Sequence, residues 1–182
     1  AEAKALDLLE QNRLLTARRL TQDILKKDPD SLVGHYVLGR ILHESDGNLS
    51  RAIHHLGYAR KRYEESYTVH PRPKDAPWKF HQEILFSIQR VAGEMDANEY
   101  KLKILEYHNS LYRPELVAEG AWALMKLGRL EEARKQATRA TKKQTWQRRA
   151  GLNALCAIEG KGRDRDARFR ACHLAFEEAH RE

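Results

Sequence analysis

The sequence predicts an all-α chain folded as a right-handed α-solenoid of about five helical hairpins, and three observations predict it. Residues that break helices are scarce, with 10 Gly and 5 Pro in 182 positions. Charged residues, 32% of the total, interleave with Ala and Leu throughout, as on helices with one buried stripe and one wet face. A turn residue followed five positions later by a core residue recurs along the chain at a near-constant interval.

The recurrence runs Asn12 to Ala17, Gly47 to Ala52, Gly128 to Ala133 and Gly162 to Ala167, with a weaker copy at Met95 to Tyr100. The gaps between the second members are 35, 48, 33 and 34 residues. Around these anchors the second helix carries a small residue, a large one four later and a small one three beyond. Ala52, Leu56 and Ala59 fit it, Ala133, Ala137 and Ala140 fit it with a smaller middle residue, and Ala17, Thr21 and Ile24 fit it loosely. In the first helix, Leu38-Gly39 with Leu42 and Gly120-Ala121 with Leu124 form a second shared motif, and Pro29 closes the first unit. Small residues where two helices cross allow an interaxial distance near the low end of about 8–10 Å. Gly47 and Gly128 suit turns that need a positive φ.

In period and in these motifs the chain resembles the tetratricopeptide-repeat (TPR) family. The resemblance spans all five units, and its strength is the period rather than any one motif. It implies a protein-interaction scaffold in which first helices line a concave groove and second helices face outward.

Taken in order, the pattern predicts helices at roughly 2–11 and 14–28, then 31–45 and 49–67, 77–94 and 97–111, 114–126 and 130–142, and 146–159 and 164–180. Together they make one repeat domain over 1–182, with units at about 1–29, 30–70, 77–112, 114–143 and 146–182. Acids follow the turns at Glu131, Glu132, Asp164 and Asp166, where helix N-termini favour them. The gap of 48 exceeds the repeat and marks an insertion at about 68–77, containing Pro71, Pro73 and Pro77. Proline ends helices, so a long outer helix followed by an extended loop is expected, with the loop on one face as a further partner contact. No capping helix follows Phe176 to Glu182, although terminal repeats normally need one. The native chain is therefore expected to continue, or its last helix to pack on something else.

Aligning the repeats places Tyr36, Arg40 and His43 of the second hairpin in the groove, with Gln82, Phe86 and Gln89 of the third. Trp122, Met125 and Lys126 follow from the fourth, and Arg149 and Asn153 from the fifth. Trp122 directly follows Gly120-Ala121, which turns it toward the groove or against the neighbouring hairpin. Trp78 and Trp146 begin helices and are expected to lock the junctions between hairpins. Some TPR proteins grip a chaperone's C-terminal carboxylate with paired Lys and Asn. Apart from Asn153 that set is missing, so the specificity is not expected here.

Net charge is +7, unevenly distributed. From Lys126 to Arg170 there are 14 Lys and Arg against 5 Asp and Glu. Arg134, Lys135, Arg139, Lys142 and Lys143 lie on or near the fourth hairpin's outer helix. Arg163, Arg165 and Arg168 lie in the last hairpin, with Lys161 and Arg170. Such a patch is a solvated face, a site for an acidic protein or a nucleic-acid contact. Aromatic residues are not interleaved with these basics, which weighs against nucleic acid.

Cys156 and Cys172 are too few for a disulfide framework and lack zinc spacing. Buried reduced thiols are expected, and with them a cytoplasmic setting. No run approaches the length of a membrane span. Nine His yield no ligand spacing, and P-loop, dinucleotide and nucleophile-elbow motifs are missing, so neither metal, cofactor nor catalysis is expected. The expected function is a scaffold or adaptor that holds a peptide or partner protein, possibly acidic. The alternative is a nucleic-acid-associated module using the basic half, and self-association is a third possibility.

Overall fold

The computed structural model describes residues 1–69, 74–143 and 146–181. The prolines at 71 and 73, with residues 70 and 72 of the predicted insertion, lie outside the described residues. The described chain is all helical and contains ten α-helices. They are α1 (Glu2–Glu10), α2 (Leu14–Lys27), α3 (Leu32–Glu44), α4 (Leu49–Ser66), α5 (Trp78–Glu94), α6 (Asn98–Leu111), α7 (Val117–Lys126), α8 (Leu130–Thr141), α9 (Trp146–Lys161) and α10 (Arg165–Ala179). The largest departure from the expected boundaries is α7, which begins three residues late. There the Leu116 amide is held by Asn109 Oδ1 at 2.8 Å and the Val117 amide by Gln147 Oε1 at 2.9 Å.

Two compact units divide the chain, Ala1–Met95 and Asp96–Glu182. In the first, α1 to α5 pack each on the next, and α1, α3 and α5 also meet in sequence. In the second, α6 to α10 pack each on the next, and α7 also meets α9. Contacts confined to neighbours and next-but-one neighbours make a two-layered helical repeat of TPR-like hairpins.

The turns explain the period. Asn12, Gly47, Asp96 and Gly128 all have positive φ, between 56° and 76°. Asn12, Gly47 and Gly128 each sit five residues before the first buried position of the following helix, and Asp96 sits five before the buried Lys101. Ala17, Ala52 and Ala133 are completely buried. In the weaker copy the register moves by one. The turn residue is Asp96, and the core position is Lys101 rather than Tyr100, which is exposed. Lys101 buries its stem and places Nζ 3.0 Å from Glu119 Oε2 on α7. Gly162 departs from the rule too. It lacks a positive φ, and the last turn instead ends on Asp164, whose carboxylate accepts the Asp166 and Ala167 amides at 3.0 Å.

The helix crossings follow the motifs. A Cβ on Gly39 would stand 2.7 Å from Leu56 Cγ and 3.2 Å from the Ala52 carbonyl, so α3 and α4 meet only because that side chain is absent. Gly151 does the same for α9, where a Cβ would reach Ala140 Cβ at 2.7 Å and the Ala137 carbonyl at 2.9 Å. The long α4 has a further use. His81 of α5, completely buried, stacks on Tyr63 at 4.5 Å and lies 3.1 Å from the Glu64 carboxylate.

One expectation is overturned. Cys156 and Cys172 are joined in a disulfide rather than held as reduced thiols. Their spacing could not reveal this, because only the packing of α10 on α9 brings the two sulfurs together. The cytoplasmic expectation loses its basis with it. No helix of the described chain is long and apolar enough to cross a membrane.

Candidate functional site

In the first unit the first helices of successive hairpins build a cleft of about 400 Å³. Its walls are Leu6, Leu9 and Glu10 of α1, Tyr36 and Arg40 of α3, and Lys79, Phe80 and Glu83 of α5. The apolar floor exists because α1 carries more apolar residues than its contact with α2 covers. Ala5 and Leu8 are buried, while Leu6 stays partly open. Phe80 meets the edge of the Tyr36 ring at 4.9 Å and 85°. Arg40 donates to the Tyr36 hydroxyl at 2.7 Å and to Glu44 Oε1 at 2.6 Å, which fixes both side chains. Burial raises the Tyr36 phenol above its usual range, with Arg40 opposing. The ring is therefore a neutral hydrogen-bonding wall at neutral pH. The charges on the rim are mixed, since Glu10 and Glu83 face the same cleft as Lys79, whose Nζ lies 5.7 Å from the Trp78 ring centre.

Of the residues that repeat alignment places in the groove of this unit, Tyr36 and Arg40 line the cleft. His43 is buried and lies 2.9 Å from Glu94 Oε1, so it braces α3 to α5. On α5 the alignment points to Gln82, Phe86 and Gln89, whereas Lys79, Phe80 and Glu83 line the cleft. Gln82 and Phe86 are half-buried, and Gln89 is completely buried with no partner for its amide.

In the second unit Trp122 is half-buried against a cluster of Ala121, Leu124, Met125, Ala133, Ala137, Ala154 and Ile158. Met125 belongs to that core. Lys126, Arg149 and Asn153 are exposed, and Arg149 Nη2 lies 3.5 Å from the Ala179 carbonyl. Trp146, expected to lock a junction, is 51% exposed.

The basic half divides into two kinds of surface. On α8, Arg134 is paired with both Glu131 and Glu159, and Arg139 with Glu115 at 3.0 Å. Arg134 is held as a cation by Glu159 first and Glu131 second. Lys135 and Lys142 are exposed and Lys143 is half-exposed. By contrast Arg163, Arg165, Arg168 and Arg170 are all exposed and make no ion pair among the described residues. Phe169 lies between Arg168 and Arg170 and is 70% exposed, an aromatic among basics that the sequence reading passed over.

A histidine pair joins α3 to α4. His35 Nδ1 and His55 Nδ1 are 2.9 Å apart, and His35 Nε2 is 2.8 Å from the Pro29 carbonyl. A carbonyl only accepts, so His35 Nε2 carries a proton, and one hydrogen is shared between the two Nδ1 atoms. Burial, then His35, His54 and Arg51, hold His55 down to about 4.

Comparison with known proteins adds little to this geometry. No family model matches the chain, and no curated protein does. A solved structure described as a functional characterization of pilF from Pseudomonas aeruginosa is similar to it. The match covers 98% of this chain and 90% of that one, at 18% identity and a TM-score of 0.45. A likeness of that looseness bears on neither partner nor activity.

Proposed function

We propose that the chain is a protein-interaction module whose first unit holds a peptide segment of a partner in the α1/α3/α5 cleft. The observation that carries the reading is the cleft itself, with an apolar floor of Leu6, Leu9, Tyr36 and Phe80 beneath a rim of fixed charge. Apolar pockets with a few placed polar groups are ordinary ligand sites. Aromatic and Arg side chains held rigid before binding make efficient anchors, because little entropy is lost on contact.

The rim narrows the chemistry. Arg40 is already satisfied by Glu44 and Tyr36, whereas Glu10 and Glu83 have no ion-pair partner among the described residues. With Lys79 on the same rim, the cleft suits a segment with one large apolar side chain and a Lys or Arg set beside Glu10 and Glu83 rather than beside Lys79. Binding rather than catalysis is the function assigned. The disulfide fits an oxidising compartment, where such bonds persist.

The test is selection from a random peptide library, with affinities then measured against variants. Enrichment of an apolar residue beside basic ones is expected. Phe80→Ala should weaken the selected peptides about tenfold, and Glu10→Lys with Glu83→Lys should abolish the preference for basic flanks. Trp122→Ala should leave affinity unchanged, since that ring packs in the second unit. Selected peptides that bind wild type and Phe80→Ala alike would end the proposal.

A further inference from the structure

The last helix is built inside out. Its small residues Ala167, Ala171 and Ala175 recur every four positions and are partly or fully buried, as are Cys172 and Glu178. Its large apolar residues are open, with Phe169 at 70%, Phe176 at 62% and Leu174 at 51% exposure. Ala175 is the only residue of the helix that is fully buried. α10 lies on α9 through this alanine stripe, the Cys156–Cys172 disulfide and the Arg148–Glu178 contact at 3.2 Å. A covalent staple thus does what apolar burial does elsewhere in the chain, and it leaves the aromatic side chains free.

Those side chains form a stripe. Arg165, Phe169, His173 and Phe176 are spaced four, four and three residues apart, on the side of the helix opposite the alanines. Phe169 and His173 rings lie parallel, 5.8 Å apart. Beside them is an open shelf of about 730 Å³ lined by Arg165, Asp166, Arg168, Phe169, Cys172 and His173. Four arginines on or just before the helix reach no carboxylate within ion-pair distance among the described residues. Asp164 is occupied by two backbone amides, leaving Asp166 as the acid that an incoming anion would meet on the shelf.

We infer that this face of α10 docks an acidic amphipathic segment of another protein, which sets carboxylates against Arg165 and Arg168 and an apolar side chain against Phe169 and Phe176. Charge complementarity selects the occupant. Guanidiniums with no internal partner are matched by carboxylates in bidentate geometry, and the adjoining aromatics give the apolar anchor that fixes register. Asp164, Asp166 and Glu177 interrupt the cations, so the helix offers no continuous track for a phosphate backbone. Glu177, directly beside Phe176, sets the stripe against an anionic lipid surface. The site is separate from the cleft in the first unit.

The experiment uses the whole chain with its disulfide intact and a fluorescent synthetic helix carrying Leu and Phe on one face and Glu on the other. Fluorescence anisotropy is expected to show saturable binding that weakens with salt and is at least about tenfold weaker for the Lys counterpart of the peptide. Phe169→Ala is expected to lose about tenfold, and Arg165→Glu with Arg168→Glu to abolish binding. Phe169 is exposed, so its truncation leaves no cavity and folding is preserved. Phe80→Ala is the control that leaves this binding intact. Equal binding of the Lys peptide, or unchanged affinity in Phe169→Ala, overturns the proposal. So would a preference for single-stranded RNA or anionic vesicles over the acidic peptide through these residues. Sedimentation showing a dimer that Phe169→Ala dissolves would assign the face to a second copy instead.

Discussion

The second hairpin and the last one carry related small-residue patterns and are stabilised in opposite ways. In α4, Ala52, Leu56 and Ala59 are completely buried, and Gly39 of α3 lets Leu56 lie against the α3 backbone. The corresponding positions of α10 are Ala167, Ala171 and Leu174. The two alanines are only partly covered and the leucine points to solvent. The difference arises in what lies on either side. α4 is packed by α3 and α5, whereas among the described residues the main neighbour of α10 is α9. Position in the array, rather than the motif, decides whether a side chain enters a core.

This contrast can be broken at its strong end first. Leu56→Ala should lower the unfolding free energy by about 2–5 kcal/mol, because it empties a site in a tight crossing, and chemical denaturation reads this directly. If the loss were below about 1 kcal/mol, the crossing at Gly39 would not be the tight contact described here.

Next comes the staple. Replacing Cys156 and Cys172 with Ser should lose about 2–4 kcal/mol, the usual contribution of closing a short loop. The loss should be local. Hydrogen exchange should accelerate in α10 while the α3/α4 amides stay protected. Uniform loosening of all helices would remove the distinction between the two hairpins.

A smaller effect separates the units by pH. His55 is held below its ordinary value of 6.5, to about 4. The unfolded chain therefore takes up a proton that the folded chain refuses. Stability contributed by the neutral ring is full above 6.5, falls as pH drops toward 4 and is lost below that. Because the ring is partly solvated, the change is no more than about 1–2 kcal/mol. Relative to His55→Gln, whose side chain does not titrate, the wild-type urea midpoint should hold steady above pH 6.5 and fall as pH drops toward 4, where the protonated ring is penalised in the folded chain. Parallel curves would detach the effect from this histidine.

The smallest effect is the sharpest comparison. Leu174→Ala should change stability by less than about 0.5 kcal/mol, although Leu174 aligns with the buried Ala59. A loss like that of Leu56→Ala would place α10 in a core.

Much of the cleft was illegible in the sequence. Tyr36 and Arg40 stand out by aligning the repeats, since both lie near the Leu38-Gly39 motif that fixes the rotation of α3. No such anchor exists on α5, which follows the insertion, so the repeat alignment points to a different face from the one that lines the cleft. Gln89 was placed in the groove and is buried. Phe80 was passed over and forms the wall. The basic patch was legible as composition but not as chemistry, because only the folded chain sets Arg134 and Arg139 against acids and leaves Arg165 and Arg168 without them.

The sequence by itself determined the helices, their turns and their repeat. Those depend on interactions within a few residues, on positive φ at Asn12, Gly47 and Gly128 and on small side chains at fixed offsets. Tertiary structure alone decided that two cysteines sixteen residues apart are bonded, that α5 turns Phe80 toward Tyr36, and that the last helix keeps its aromatics outside. Each of these depends on which neighbour stands beside a helix, and a repeating sequence says the same thing of a helix whether one neighbour is present or two.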